Sequence, residues 1–464
     1  MPRLGGPIGT LTGALLLLLL SPSILAHEHH EQVSHEDAAK PIDTILLLHI
    51  FLQAGVWLFL FPVGMVLGIT RSRWHVPLQS LGFALTVVGY FLGHGHGGRA
   101  FPNSVHGTFA NLLLIPGGAQ LALGIYLKLH IHEQSVRPYA VILHGVIGKL
   151  FPVLGWLQVV FGYSTLGGYC RGGHLGQCLA HYIMGSAFVG YGCVLAILLL
   201  VGEPWLRRKG RSPEWWDSWV ITLWGIVNTF TEHHGGGWSM KDMQHTMLGV
   251  IWWAGGMLGI WLSRNNQRNV VPALIIILTG WSMSNHAQAL MISTMVHSVF
   301  GYALMTAGIT RIIEVCFLAN TITHNAEPIS EGDSSSEHTL ADSSTSSPVP
   351  RWLAFRHLPP FLLVTAGFLF MSATDEELHL AHDNGLDHVT YVLMCISCAF
   401  IVYLSVLVLI HLYTATGRHS TKGAQDADIE MSSTGRPRWY NRLPNNDSST
   451  TRNGQPAHVI GDDD

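Results

Sequence analysis

The chain has 464 residues, of which 48% are hydrophobic and only 12% charged, with a net charge of −4. That charged fraction is about half of what soluble globular domains use, which places the chain among membrane proteins, and a mildly acidic balance gives no footing for nucleic-acid binding. The sequence has no phosphate-cradling glycine loop followed by Lys-Ser/Thr and no Gly-x-Ser-x-Gly elbow.

The first 26 residues read as a signal peptide: Arg3 precedes the apolar run Leu11 to Leu20, and small residues from Ser21 to Ala26 offer a cleavage site. Residues 27–42 begin HEHHEQVSHED, a luminal His-acid segment that suits loose capture of a divalent metal or a pH-sensitive tail. Eleven stretches then read as spans, about 43–69, 76–93, 106–127, 139–163, 179–202, 216–231, 245–263, 270–290, 295–319, 358–374 and 389–414. Lipid leaves no partner for unpaired backbone groups, so the expectation is an all-α polytopic membrane protein. Its modules are 43–202, 216–319 and the last two helices at 358–414. Polar linkers, 320–357 with its SSSEHTLADSSTSSPVP run and 415–464 at the end, read as disordered and cytosolic.

Orientation follows from Lys and Arg. With a luminal start, Arg71, Arg73, Lys128, Arg137, Arg207, Arg208, Lys209, Arg211, Arg264 and Arg268 all fall in cytosolic loops. The opposite loops carry His and acid instead, including His94, His96, Glu376, Glu377, His379, His382 and Asp383. Cys170 and Cys178 share one of these luminal loops and form a plausible disulfide there. Cys193, Cys316, Cys395 and Cys398 lie in apolar segments and read as inert packing residues.

A titratable ring near the lipid core is expensive, and here histidines open span after span: His49, His75, His106, His144 and His181. In alternating helices His49 and His106 lie near the luminal face, and His75 and His144 near the cytosolic face. Two facing imidazoles can hold one haem iron, so this arrangement offers two stacked pairs. Any one of these rings also suits a hydrogen bond at the headgroup interface. His181 begins an inward-running helix as well and suits a spare luminal ligand or, the reading favoured here, a packing residue.

The runs FPVGMVLG with Arg71, RWHVPLQSLGF around His75, His106 with Gln120 and Gly124, and His144 with Gly148 and Lys149 resemble the transmembrane cytochrome b561 family over about 43–165. The resemblance implies two b-type haems, ligated by His49 with His106 and by His75 with His144, and electron transfer across the membrane. It also implies that Lys149 meets a small anionic donor such as ascorbate. His75 departs from the pattern in standing at the very edge of its span.

Farther on, TEHHGGGWSMKDMQHT and WSMSNHAQALMISTMVHS bring His233, His234, His245, His286 and His297 to the luminal side, with Glu232 and Asp242 among them and His379, His382 and His388 in a nearby loop. These residues suit a zinc, copper or iron site, a hydrogen-bonded polar cap on the helix ends, or a metal-dependent hydrolase with Glu232 or Asp242 as the acid or base. The stretches WGIVNTFTEHHGGGWSMKDMQHT, MLGVIWWAGGMLGIWLSR, MVHSVFGYALMTAGITRIIEV and DNGLDHVTYVLM resemble the fungal YTP-type integral membrane protein family over 43–414. Three functional expectations stand together: a transmembrane oxidoreductase of the ferric- or cupric-reductase kind, a non-redox metal-binding or transport protein, and a membrane scaffold without enzymatic activity.

Overall fold

The computed structural model describes residues 40–231, 237–285, 288, 290–318 and 351–416. The expected signal peptide, nearly all of the His-rich segment, most of the linker and all but the first residues of the terminal tail lie outside these, as do Glu232, His233, His234 and His286. Among the described residues every regular element is helical.

All eleven expected spans are helices: α1 Thr44–Ile69, α2 His75–Gly95, α3 Val105–Lys128, α4 Arg137–Gly167, α5 Leu175–Leu200, α6 Pro213–Thr231, α7 Met240–Leu262, α8 Val271–Ser284, α9 Met291–Ile313, α10 Leu358–Met371 and α11 His388–Ala415. Among the described residues, nine helices are long and apolar enough to cross a membrane, which makes this an all-helical, multi-pass membrane protein. The other two are α8, with 14 residues, and α6, which carries Glu214 and Asp217 near its start. The eighth expected span was to run to 290; α8 instead stops at Ser284, where the Asn285 amide folds back to donate to the Trp281 carbonyl at 2.7 Å. Arg351–His357, which the sequence assigns to the linker, is a 3₁₀ helix leading into α10.

Helix starts are marked by local chemistry. Asp43 accepts from the Leu46 amide at 3.0 Å to cap α1, and its other oxygen takes the Gly97 amide at 3.0 Å, tying the exit of α2 to the entry of α1. These two backbone donors, Gly97 first, hold the exposed Asp43 carboxyl below its usual range. Ser104 caps α3 and Asp387 caps α11. Within α1, Val56–Leu60 is a π-helical turn, which fits one extra residue into the rod.

The helices pack as antiparallel neighbours: α1 with α2, α3 with α4, α6 with α7, α8 with α9, and α5 with α10. Glycine sets the closeness of the later pairs, as expected where helices gain little from water exclusion and must approach backbone to backbone. A methyl at Gly280 would stand 2.5 Å from the Gly301 carbonyl oxygen, and one at Gly367 would stand 2.6 Å from that of Gly185. Helix α10 also contacts α9 and α11, so it lies inside the assembly, with α11 packed on its outer side. Leu195, Phe300, Leu304, Leu369 and Phe370 fill its core. The first four helices have their own core, of Val56, Trp57, Phe61, Leu113 and Phe151. Trp156 joins the halves by donating to Ser186 at 2.9 Å.

At the end of the bundle where α9 finishes, four buried charges, Glu214, Asp217, Arg311 and Glu314, gather with the half-buried Arg268. Arg311 pairs with Glu214 at 2.8 Å and with Glu314, while Arg268 bridges Glu214 at 2.8 Å and Glu314 at 3.0 Å. Asp217 stands 3.7 Å from Arg311. This clasp fixes α6, the entry to α8 and the end of α9 at one point. Removing one partner strands the others in a dry site, so Arg311→Met should lower stability by about 3–5 kcal/mol. Thermal unfolding in detergent checks this, with the exposed Arg207→Met as the near-neutral comparison.

At the other end, the short helix Asp375–Asp383 buries Glu377 against the hydroxyls of Tyr182 and Tyr391. Burial pushes the Glu377 carboxyl up to about 7 from an ordinary 4.5. Between those values the folded protein holds a proton that the unfolded chain has released. Stability is therefore greatest below that interval and falls as pH rises through it, by up to about 3 kcal/mol. The unfolding midpoint should drop between pH 5 and 8 in the native protein, and Glu377→Gln should flatten that slope.

Candidate functional site

Four histidines face one another in two couples inside the α1–α4 bundle. His49 and His106 have ring centres 6.1 Å apart with planes at 89°, and His75 and His144 have centres 6.2 Å apart at 90°. All four are half-buried. His49 Nδ1 donates to the Gly89 carbonyl at 2.7 Å, His75 Nδ1 to Gly64 at 2.7 Å, and His106 Nδ1 to Gln158 at 3.2 Å. With the proton on Nδ1, the lone pair is on Nε2, the arrangement a metal-ligating imidazole needs. His144 is turned toward the Gln120 backbone in the same manner, although its Nδ1 makes no full hydrogen bond. The Gln120 amide nitrogen stands 3.5 Å from His144 Nε2.

Each ring also meets a glycine of the neighbouring helix. A methyl at Gly93 would fall 2.6 Å from His49, at Gly68 2.8 Å from His75, at Gly162 3.1 Å from His106 and at Gly124 3.6 Å from His144. The exchange is mutual: α1 and α2 each supply the histidine of one level and the glycine of the other, and so do α3 and α4. The spacing is regular. Glycine follows histidine by 18 residues in α2, α3 and α4, and by 19 in α1. The π-helical turn in α1 absorbs that extra residue and keeps Gly68 in phase. The carbonyl or glutamine facing a neighbour's histidine lies 14 residues on, at Gly89, Gln120 and Gln158, and 15 in α1, at Gly64. At 1.5 Å per residue the two histidine levels are about 21 Å apart. The sequence signal for these glycines is the repeated His-to-Gly interval, visible once the helices are aligned on their histidines.

Between the levels lies an aromatic layer. Trp57 and Phe151 have ring centres 5.5 Å apart, and Phe61 and Phe151 5.7 Å. Lys149 is exposed on α4, just past His144.

The second expected cluster looks different. Of its five candidate metal-ligating histidines, His245 and His297 are described. His297 is buried on α9, with His181 as its ring neighbour at 6.0 Å and 86°; the sequence alone leaves His181 as a spare luminal ligand or a packing residue and does not pair it with His297. His245 lines the same cavity. Among the described residues no group of three His, Cys, Asp or Glu side chains is arranged to hold a metal ion. Asp242, a candidate acid or base, forms a capping box with Ser239 at the start of α7. Cys170 and Cys178 form a disulfide beside this end of the bundle, and the Cys170 amide donates to Glu376 at 2.7 Å.

Comparison with known proteins gives a lineage without a chemistry. The family model described as Protein YTP1-like, C-terminal, matches residues 154–414, and a domain of unknown function (DUF2427) matches 29–130. Protein YTP1 of Saccharomyces cerevisiae is 45% identical over 58% of this chain and 54% of its own length, so the chain spans about half of that relative. An uncharacterized membrane protein of Schizosaccharomyces pombe is 23% identical over 61% of this chain and 81% of its own length. Another from Saccharomyces cerevisiae is 23% identical over 53% of this chain and 43% of its own length. No solved structure matches. With the C-terminal model covering more than half of the sequence, this chain belongs to the YTP1-like family of membrane proteins.

Proposed function

We propose that α1–α4 form a transmembrane electron carrier of the oxidoreductase kind, with two b-type haems, one held by His49 and His106 and the other by His75 and His144. The carrying observation is the ring separation. With metal–nitrogen bonds of about 2.0 Å and about 1.1 Å from nitrogen to ring centre, two imidazoles on opposite sides of one ion would have centres about 6.2 Å apart, against about 5.1 Å at a tetrahedral angle. The observed 6.1 and 6.2 Å suit couples that would hold one iron between their two rings. Two groups so held supply one-electron redox centres at two depths of the bilayer.

The chain's own residues do the rest. Carbonyls of Gly89, Gly64 and Gln158 fix the tautomer and turn of their rings. Gly93, Gly68, Gly162 and Gly124 keep side chains away from the same rings. Trp57, Phe61 and Phe151 seal the middle of the bundle against water. Lys149 offers a cation near the His75–His144 level for a small anionic donor, with ascorbate as the candidate its family resemblance implies.

The sidedness we favour puts that level at the cytosol and the disulfide on the luminal or extracellular side, in a membrane of the secretory pathway or at the cell surface. Arg71, Arg137 and Arg207 stand at the expected cytosolic ends, and the Cys170–Cys178 bridge needs an oxidising compartment.

Purified protein should show a reduced-minus-oxidised b-type band. His49→Ala and His144→Ala should each remove about half of the bound haem, and Gly93→Leu should remove the share of the His49 site with no ligand changed. A colourless preparation that takes up no added haem would contradict the reading. Reversing the charge with Lys149→Glu should slow reduction by ascorbate roughly tenfold or more while leaving haem content unchanged.

A further inference from the structure

We infer that His181 and His297 form a separate metal site, made for a single cuprous ion, in the C-terminal half of the bundle. The inference does not rest on haem in the N-terminal half. The two rings have centres 6.0 Å apart with planes at 86°, the same relation as the other two couples and again well beyond the separation of a tetrahedral pair. His181 Nδ1 donates to the Gln177 carbonyl and His297 Nδ1 to the Ser293 carbonyl, both at 2.8 Å. Each ring is thus locked by its own helix one turn back, with the lone pair on Nε2. Phe370 stacks on His181 with centres 4.6 Å apart and planes at 14°, which fixes that ring further.

Both imidazoles line a cavity of about 80 Å³, together with Met184, Met283 and His245. Three features select the occupant. First, the space holds an ion and a few small ligands, whereas a porphyrin needs several hundred Å³. Second, each ring of the other couples meets a glycine of the neighbouring helix, whereas among the described residues neither His181 nor His297 stands among the nearest atoms to any glycine. Third, this couple supplies two imidazole nitrogens and the cavity adds the thioethers of Met184 and Met283, softer donors than the nitrogen, thiolate and oxygen ligands that zinc prefers. Two imidazoles with centres 6.0 Å apart and thioethers lining the same cavity are the ligand set of cuprous copper, which accepts low coordination and soft sulfur.

The test uses the full-length protein in detergent, stripped with a chelator, equilibrated anaerobically with cuprous ion against a chromophoric competitor, and then passed over a desalting column. Wild type should retain about one equivalent more copper than His181→Phe or His297→Ala, with helical content by circular dichroism unchanged. His181→Phe keeps an aromatic ring against Phe370, so a folding failure is separable from a lost ligand. Met184→Leu should weaken retention by roughly tenfold against the competitor. X-ray absorption of the bound copper should show nitrogen scatterers of imidazole type. Equal retention by wild type and both histidine variants would overturn the inference. So would a haem band lost in the two histidine variants, or retention of zinc in place of copper. Absence of haem from the preparation, by contrast, bears only on the N-terminal proposal.

Discussion

The organisation of the first four helices depends on one constraint: an imidazole placed in a membrane bundle must have both of its nitrogens accounted for. In His49, His75 and His106 Nδ1 is satisfied by a backbone carbonyl on the neighbouring helix, which removes its donor from the apolar interior at the cost of a fixed ring orientation. Nε2 then keeps the lone pair, and the ring centre of a second imidazole stands 6.1 or 6.2 Å away across the bundle. Because each helix provides a histidine at one end and the glycine and carbonyl that receive its neighbour's histidine at the other, the arrangement holds only if the helices alternate in direction and share one length between levels. The π-helical turn in α1 shows how strict that length is, since the helix deforms locally rather than lose the phase of Gly68.

The C-terminal half is assembled by different means. Its helices close onto one another through glycines at the crossing points, and its charged residues are gathered at one end into a clasp around Arg311. Helix α10 runs antiparallel to α5 and also packs on α9, so residues separated by nearly the whole C-terminal sequence share one core. A third imidazole couple lies inside this half, and it is ordered by its own helices instead of by neighbours. Two ways of fixing a ring therefore occur in one molecule: across helices where glycine clears the space, and along a helix where packing closes it.

Much of this was legible in the sequence. Apolar runs of the right length marked all eleven helices, and alternation of direction placed His49 with His106 and His75 with His144. Other features were hidden because they depend on which helices touch. The pairing of His181 with His297 joins α5 to α9, and nothing in the spacing of either helix announces the other. Glu214 and Arg311 look like ordinary boundary charges until α6 and α9 are brought side by side. The capping role of Asp242 was readable from the Ser239-to-Asp242 interval, but proximity to histidines made a metal role the more conspicuous reading. The glycine interval was present in plain view, and only the contacts show that each glycine serves the adjoining helix rather than its own.

The most direct test of paired axial imidazoles is low-temperature electron paramagnetic resonance on the oxidised protein. Two bis-imidazole sites predict two low-spin ferric signals, with one lost when either member of a couple is replaced. A high-spin ferric signal in the native protein, or a single low-spin species indifferent to His75 and His144, would contradict the arrangement on which the functional account stands.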